Sequence, residues 1–165
     1  MDVSSKTRVL FDPLYGHIKL TPIEWEIIHS PFYQRLRWIK QLGFSSYVFP
    51  GAEHSRFGHS VGVLNNAQKI LESIGLAVDF EELTKWRSFS KEALFHQSVR
   101  LGALMHDLGT FPFSHTTESA YINFGETENF RDGKALCDDH ENLGSFIIKN
   151  TDYKRGITRI LQKYN

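Results

Sequence analysis

The sequence predicts a mainly α-helical domain that carries a short β-hairpin at its N-terminal end. Two observations predict the helices. Apolar residues recur at spacings of three and four over most of the chain, and Ser or Thr precedes several of these segments, twice with Pro directly after it. Two extended segments near the start, separated by proline and glycine, predict the hairpin. A chain of 165 residues, 41% of them hydrophobic, has the size and composition of one folded domain.

The N-terminal third is predicted to contain the hairpin and two helices. The four elements are residues 8–13, residues 15–20, a helix that starts at Thr21-Pro22 and a helix from Ser30-Pro31 to about Leu42. Both helices begin with a hydroxyl residue that caps free N–H groups and a proline whose fixed φ suits the first turn. Gly43 is predicted to end the second helix.

The rest of the chain is predicted to be helical, apart from two irregular stretches. The elements are a helix over about 55–74, an irregular segment over 75–89, a helix over 90–108, a short helix that carries residues 115 and 118, a polar loop over 123–139, a helix over about 140–149 and a last helix from residue 158. The helix over 90–108 is apolar on much of its circumference, so we expect it at the centre of the domain.

The composition excludes several classes of protein. Lys plus Arg equals Asp plus Glu at 19 each, so charge does not indicate a nucleic-acid or membrane partner. The single cysteine, Cys137, cannot form an intrachain disulfide. No apolar run approaches the length of a membrane span, and the N-terminus lacks the apolar core of a secretory signal. We therefore expect a soluble cytoplasmic protein.

The adjacent pair His106-Asp107 is the most informative feature of the sequence. It stands in an apolar run, residues 101–109, that ends on a glycine. Burying an ionisable pair costs free energy unless a partner neutralises it. A divalent metal would do so, because imidazole nitrogen and carboxylate oxygen are both good ligands, and His59 is a candidate third ligand. These ligand types leave Mn, Fe, Zn, Ni and Mg open.

Other residues have the chemistry to act on a phosphoester beside such a metal. Arg56 precedes His59 by three residues, so both share a helix face, and a guanidinium binds phosphate oxygens in pairs. His115 and Glu118 are also three apart, so the carboxylate can orient the imidazole as a proton donor, and His140 would add a second imidazole. The alternatives are structural: a surface ion pair for Arg56 and capping roles for the two histidines.

Four segments resemble the HD-domain phosphohydrolases, and within them the deoxynucleoside triphosphate triphosphohydrolases (dNTPases). They are residues 12–18 (DPLYGHI), 34–43 (QRLRWIKQLG), 49–63 (FPGAEHSRFGHSVGV) and 106–115 (HDLGTFPFSH). The similarity runs from about Val9 to Ile148. It implies an HD-domain helical bundle, a divalent metal cofactor, a dNTP substrate and a homo-oligomer. The implied reaction is attack of water on the α-phosphorus, which releases a deoxynucleoside and triphosphate.

The resemblance also implies a role for each candidate residue. The positions that match the metal ligands of the family are His59, His106 and Asp107. Those that match the histidines near the scissile phosphate and their acidic partner are His115, His140 and Glu118. Those that match substrate contacts are Arg56, at the α-phosphate, and Gln41 and Leu42, beside the sugar.

Two features depart from the family pattern. The last metal ligand of the family, an aspartate on a later helix, has no clear counterpart. We therefore expect residues 1–165 to form one HD domain that is the N-terminal part of a longer phosphohydrolase. The alternative is that another group supplies the ligand: Asp138, Asp139, Asp152 or a partner chain. Thr110 occupies a position that is often histidine, so one imidazole is missing from the phosphate pocket.

Three functions therefore compete. The first is dNTP hydrolysis, which Gln41-Leu42-Gly43 and the long second motif favour. The second is another HD-type activity, a nucleotide phosphatase or phosphodiesterase. The third is a degenerate HD scaffold that binds nucleotides as a regulator, which Thr110 and the missing aspartate motivate. Nucleic acid is a partner that the sequence permits without indicating it.

The remaining charged and aromatic candidates are interpreted as structural. We expect a solvated helix face at Arg35, Arg37 and Lys40, with phosphate binding at a subunit contact as the alternative. Surface or supporting roles are expected for His17, His29, His54 and His96. Core positions are expected for Trp25, Trp38 and Phe113.

Overall fold

A computed structural model describes residues 7–124 and 139–164 of the chain, without the side chains of 121–124. Within these residues, seven α-helices pack with one two-stranded antiparallel sheet. The elements are β1 (Arg8–Asp12), β2 (Gly16–Leu20), α1 (Pro22–Ile28), α2 (Pro31–Gln34), α3 (Arg56–Ser73), α4 (Lys91–Met105), α5 (His115–Phe124), α6 (His140–Asn150) and α7 (Ile157–Lys163). Short 3₁₀ helices span Arg35–Trp38, Gly43–Tyr47, Glu82–Thr84 and Trp86–Ser88. The predicted mainly α fold with an N-terminal hairpin is confirmed.

The hairpin forms where the sequence predicts it. Arg8 pairs with Leu20 and Asp12 with Gly16. The Asp12 carboxylate accepts hydrogen bonds from two backbone N–H groups of the turn, and Gly16 adopts a φ of 75° that side chains disfavour. Ile18 and Leu20 are buried while His17 and Lys19 are exposed, so one face of the hairpin packs on the helices.

The helix predicted over residues 30–42 is wrong beyond Gln34. The chain tightens into a 3₁₀ turn and then extends at Ile39. The Ile39 carbonyl accepts a hydrogen bond from the N–H of Arg56, and the N–H of Gln41 donates to the His54 carbonyl. These backbone groups pair with the segment before α3, so they are not available to a helix. Gly43, with φ 52°, begins the next 3₁₀ turn instead of ending a helix.

The two longest helices, α3 and α4, pack against each other and match their predicted positions. Ser55 and Ser90 cap them, each accepting a hydrogen bond from a backbone N–H of the first turn. Helix α4 ends at Met105, before the predicted Leu108, and His106 is its C-cap. The pair His106-Asp107 therefore lies at a helix end, where the chain turns.

The buried face of α4 is partly polar, whereas the sequence predicts an apolar helix: His96, Gln97 and Arg100 are buried beside Ala93 and Leu104. Leu94 and Phe95 are 57% and 51% exposed, whereas Arg100 is 2% exposed. The Arg100 guanidinium donates to both carboxylate oxygens of Glu24, at 2.8 and 2.7 Å. His96, expected at the surface or in a supporting role, is fully buried and hydrogen-bonded on both ring nitrogens.

An apolar core lies between the hairpin and the helices. Its fully buried side chains include Leu20, Ile27, Tyr33, Leu64, Leu104 and Ile157. Trp38 and Phe113, expected in the core, are 89% and 54% exposed, so that expectation is wrong for both. None of the helices in the two described ranges has the length and apolar character needed to cross a bilayer. Most of the loop predicted over 123–139, residues 125–138, lies outside the described residues.

At Gly109, the backbone of the turn after α4 comes into close contact with the backbone at the start of α6. A Cβ built at Gly109 would lie 2.0 Å from the carbonyl oxygen of His140 and 2.3 Å from the nitrogen of Gly144. Both atoms are backbone, so they cannot move aside as a flexible side chain can. The close approach fixes the start of α6 against the turn that follows Asp107.

We expect Gly109→Ala to destabilise the domain by about 1–3 kcal/mol, because the added methyl group overpacks a backbone contact. Gly102→Ala is the matched control. Gly102 lies in α4, and a Cβ at this position would meet no neighbouring atom within 4 Å, so its replacement should stabilise the domain by about 0.5–1 kcal/mol. Urea unfolding of both variants tests this pair of opposite signs, and two changes of the same sign would contradict it.

Candidate metal centre and neighbouring histidine pair

Two helix ends bring the three predicted metal ligands together. His59 lies near the start of α3, His106 caps α4, and Asp107 follows it. The Nε2 atoms of His59 and His106 lie 3.3 Å apart, and they lie 3.7 and 3.5 Å from the Oδ2 atom of Asp107. The three donor atoms thus form a small triangle. His59 is 47 residues from His106 in the sequence, so the fold brings them together.

The triangle has the dimensions of a metal site. Bonds of roughly 2.1 Å to nitrogen and oxygen place the ligands of a tetrahedral ion about 3.4 Å apart. The Nδ1–H of His106 donates to the carbonyl of Ala103 at 2.9 Å, which leaves the Nε2 lone pair for a cation. Burial lowers the pKa of His59, and this favours the neutral imidazole that binds metal. The residues present therefore fit a divalent cation.

Asp107 is the buried member of the triangle, at 2% exposure. The Nη1 atom of Arg56 donates to its Oδ2 atom at 2.8 Å. Burial raises the pKa of Asp107, but the Arg56 hydrogen bond and the nearby positive groups outweigh it, so the pKa lies below its usual value. The carboxylate is held ionised, as a metal ligand must be.

Arg56, a predicted phosphate contact, is itself 4% exposed. Its Nη1 binds Asp107 and its Nη2 donates to the hydroxyl of Ser114. The Ser114 hydroxyl in turn donates to the carbonyl of Gln41 at 3.4 Å. The structure therefore brings Gln41 close to the triangle through Ser114, whereas the half-buried Leu42 has an apolar side chain that cannot join these hydrogen bonds. The role of both at a sugar stays a prediction.

A second group of titratable side chains lies in α5 and at the start of α6. His115 and Glu118 lie in α5 and His140 opens α6. The Nδ1–H of His115 donates to one oxygen of Glu118 at 2.6 Å, and the Nδ1–H of His140 donates to the other at 2.7 Å. One carboxylate thus orients two imidazoles, whose ring centroids are 5.3 Å apart, and leaves the Nε2 atom of each free of this contact.

Glu118 is held strongly in its ionised form. Burial raises its pKa, but hydrogen bonds from His115, from His140 and from the His140 backbone outweigh this and lower the pKa to about 2. The folded pKa lies below the usual 4.5, so the stabilisation is fully present above pH 4.5 and is lost as the pH falls towards 2. By linkage this amounts to on the order of 3 kcal/mol.

We expect Glu118→Gln to be less stable than the wild type at pH 6 by a few kcal/mol, with the difference shrinking at pH 3. The reason is that an amide cannot accept a hydrogen bond from both imidazoles. The measurement is the free energy of urea unfolding at the two pH values. Glu141→Gln, at an exposed site in the first turn of α6, is the control and should show no such pH-dependent difference.

The described candidates for a fourth metal ligand lie elsewhere. Asp139 caps α6 by accepting a hydrogen bond from the Asn142 backbone at 2.7 Å, and Asp152 lies 3.5 Å from Arg159. Neither is in the group of donor atoms formed by His59, His106 and Asp107, and Asp138 lies outside the described residues. The side chain of Thr110 is buried at 1% exposure.

Two residues near the site were missed by sequence reasoning. Ser114 receives the Arg56 hydrogen bond, and it follows Phe113 in a rare conformation, with φ values of 59° and 60°. Arg35, expected on a solvated face, donates to the carbonyls of Leu108 and Thr110. The contacts of Ser114 and Arg35 are long-range, so no local pattern in the sequence predicts them. The one signal was that both residues lie inside the matched motifs.

Comparison with known proteins agrees with this geometry. The family model described as HD domain matches residues 56–163, which include the triangle and the histidine pair. The chain belongs to the HD-domain family. The resemblance to HD-domain phosphohydrolases that the motifs indicate is therefore confirmed.

Curated relatives of this HD domain include dNTPases. The chain is 34% identical over 157 residues to the human deoxynucleoside triphosphate triphosphohydrolase SAMHD1, a match that covers 95% of this chain and 23% of that protein. It is 37% identical over 131 residues to the SAMHD1 homolog of Dictyostelium discoideum, covering 78% and 24%. An uncharacterized Bacillus subtilis protein, YwfO, is 34% identical over 139 residues, covering 84% and 29%. The chain thus spans about a quarter of the length of these relatives.

Proposed function

We propose that this HD domain is the catalytic domain of a metal-dependent phosphohydrolase that converts dNTPs to a deoxynucleoside and triphosphate. The observation that carries the proposal is the triangle of His59, His106 and Asp107, with donor atoms 3.3–3.7 Å apart. The similarity to proteins named dNTPases supports the choice of substrate.

The triangle would hold the divalent ion, as Mn, Fe, Zn, Ni or Mg. When bound, such an ion supplies Lewis-acid polarisation of a phosphoryl oxygen and lowers the pKa of a water molecule. Arg56 keeps Asp107 ionised and oriented for this task. The same guanidinium would attract a phosphate that approaches Asp107 and Ser114, because its charge is shared over the whole group.

His115 and His140 would handle the proton at the leaving oxygen. Glu118 holds each Nδ1–H, so the Nε2 atom of each imidazole stays available to a substrate oxygen. His115 is the more exposed, with 60% of its side chain accessible against 22% for His140. We therefore assign the donation of a proton to His115 and the electrostatic support of the phosphate to His140.

The proposal extends to the organisation of the protein. Residues 1–165 would form one HD domain in the N-terminal part of a longer phosphohydrolase, which would supply the remaining metal ligand and substrate contacts. The relatives, of which this chain spans about a quarter, support this. The protein would act as a cytoplasmic homo-oligomer on nucleotides.

The test is incubation of the complete protein with each dNTP and each of Mn²⁺, Fe²⁺, Zn²⁺, Ni²⁺ and Mg²⁺. Release of triphosphate in equal amount to deoxynucleoside is the expected result. Release of orthophosphate, or opening of a cyclic nucleotide that is supplied in a parallel incubation, would instead indicate another HD-type activity. Tight nucleotide binding with no product under any metal would mean a regulatory scaffold and would overturn the proposal.

A further inference from the structure

Arg35 binds the turn that links the metal triangle to the histidine pair. It lies at the start of the 3₁₀ helix Arg35–Trp38, distant in sequence from that turn. Its Nη2 atom donates to the carbonyl oxygen of Leu108 at 2.5 Å, and its Nη1 atom donates to that of Thr110 at 2.6 Å. The two prongs of one guanidinium thus bridge two carbonyls in the turn that follows Asp107.

The environment of Arg35 makes this contact specific. In the described part of the chain, no carboxylate lies within 4 Å of its guanidinium, so the backbone carbonyls are its partners. Burial lowers the pKa of Arg35, which reflects the cost of removing the charge from water. A partly buried cation without a carboxylate is costly to keep unless its hydrogen bonds are made.

The conformation of this turn depends on contacts with other segments of the chain. The segment that continues from it to α5 contains Phe113 and Ser114, whose φ values of 60° and 59° are unfavourable for residues with a side chain. Such conformations cost about 1–3 kcal/mol each and persist only where neighbouring contacts impose them. Arg56 binds both ends of the segment 107–114, at Asp107 and Ser114. Arg35 binds the turn within that segment, through the carbonyls of Leu108 and Thr110.

We propose that Arg35 is a positioning residue that fixes the turn over residues 108–110 and thereby the placement of Asp107 relative to His115. Arg35 touches neither the donor atoms of the triangle nor the imidazoles. It acts through the backbone between them, and only a planar guanidinium bridges two carbonyls in this way. The inference rests on the proposed metal-dependent function.

Arg35→Lys tests the proposal, because it keeps the charge and loses the two-pronged contact. We expect Co²⁺, titrated into the complete protein, to bind 10–100-fold more weakly than in the wild type, the range typical of residues that orient metal ligands. The visible d–d absorption of the bound Co²⁺ should also change, because it reports the ligand geometry. With dNTPs, kcat should fall by a similar factor while KM changes less than about threefold.

Two controls separate positioning from general damage. Arg155→Lys alters another guanidinium that donates to a backbone carbonyl, that of His29, outside the site, and should behave as the wild type. Arg100→Met destabilises the fold without touching the turn, and should leave the Co²⁺ spectrum unchanged. If Arg35→Lys does not fold, Arg35→Gln, which keeps one donor group, is measured in the same way.

The outcomes distinguish this inference from the proposed function. A wild-type Co²⁺ spectrum and affinity in a folded Arg35 variant would overturn the role of Arg35, even if the protein hydrolyses dNTPs. A weakened and altered Co²⁺ site in a protein that never hydrolyses dNTPs would support the role of Arg35 and reject the substrate. Equal Co²⁺ losses in Arg35→Lys and Arg100→Met would also overturn the inference, because the effect would then follow stability alone.

Discussion

On the proposed function, replacing Asp107 by asparagine should empty the metal site and lower dNTP hydrolysis more than about 100-fold. Loss of a residue that only orients a metal ligand costs up to about 100-fold, and loss of the ligand itself should cost more. Asp107 supplies the only carboxylate oxygen of the triangle in the described residues, 3.5 and 3.7 Å from the two imidazole nitrogens. A neutral amide binds a divalent ion far more weakly than a carboxylate. Elemental analysis of metal per chain and release of triphosphate measure the two effects.

The control for this substitution is Asp152→Asn. Asp152 lies 3.5 Å from Arg159 at the exposed connection between α6 and α7, so the variant should keep the metal and the activity. Thermal unfolding must accompany both variants, because Asp107→Asn also leaves the buried Arg56 without its charge partner. Stoichiometric metal in a folded Asp107→Asn protein would contradict the assignment of the triangle.

Replacing Arg100 by methionine is expected to destabilise the domain by about 3–5 kcal/mol, because it leaves a buried charge unpaired. Glu24, fully buried, is bound by Arg100 through both carboxylate oxygens, and the amide of Gln97 donates to one of them at 2.8 Å. Methionine is also long and unbranched but has no donor. At roughly 2–4 °C per kcal/mol for a chain of this size, Tm should fall by about 10 °C.

Lys163→Met provides the matched comparison. Lys163 also pairs with a glutamate of α1, Glu26, at 2.6 Å, but both side chains are partly exposed, 43% and 33%. A pair in water contributes about 1 kcal/mol or less, so the loss of Tm should be small. Thermal unfolding by circular dichroism checks both variants. Equal Tm values for Arg100→Met and the wild type would contradict the cost assigned to leaving Glu24 without its partner.

Local signals in the sequence were sufficient for most of the fold. The hydroxyl and acidic caps at Thr21, Ser55, Ser90 and Asp139 each mark a helix start that the structure contains. Capping depends on contacts within four residues, so these starts are readable without tertiary information. The prediction of a helix over 30–42 was wrong because backbone groups of Ile39 and Gln41 form hydrogen bonds with residues 54–56 instead. These partners are too distant in sequence for a local pattern to indicate them.

The candidate site also has features that the sequence predicts and features that only the folded structure shows. The residue types that could bind a metal and a phosphate were evident from the sequence, because the pair His106-Asp107 and the four ordered motifs are local patterns. The burial of Arg56 against Asp107, and the binding of Arg35 to the carbonyls beyond it, became evident only in the folded chain. A side chain with several donors can satisfy them in many ways, and its partners are chosen by the packing of distant segments, which no spacing along the chain records.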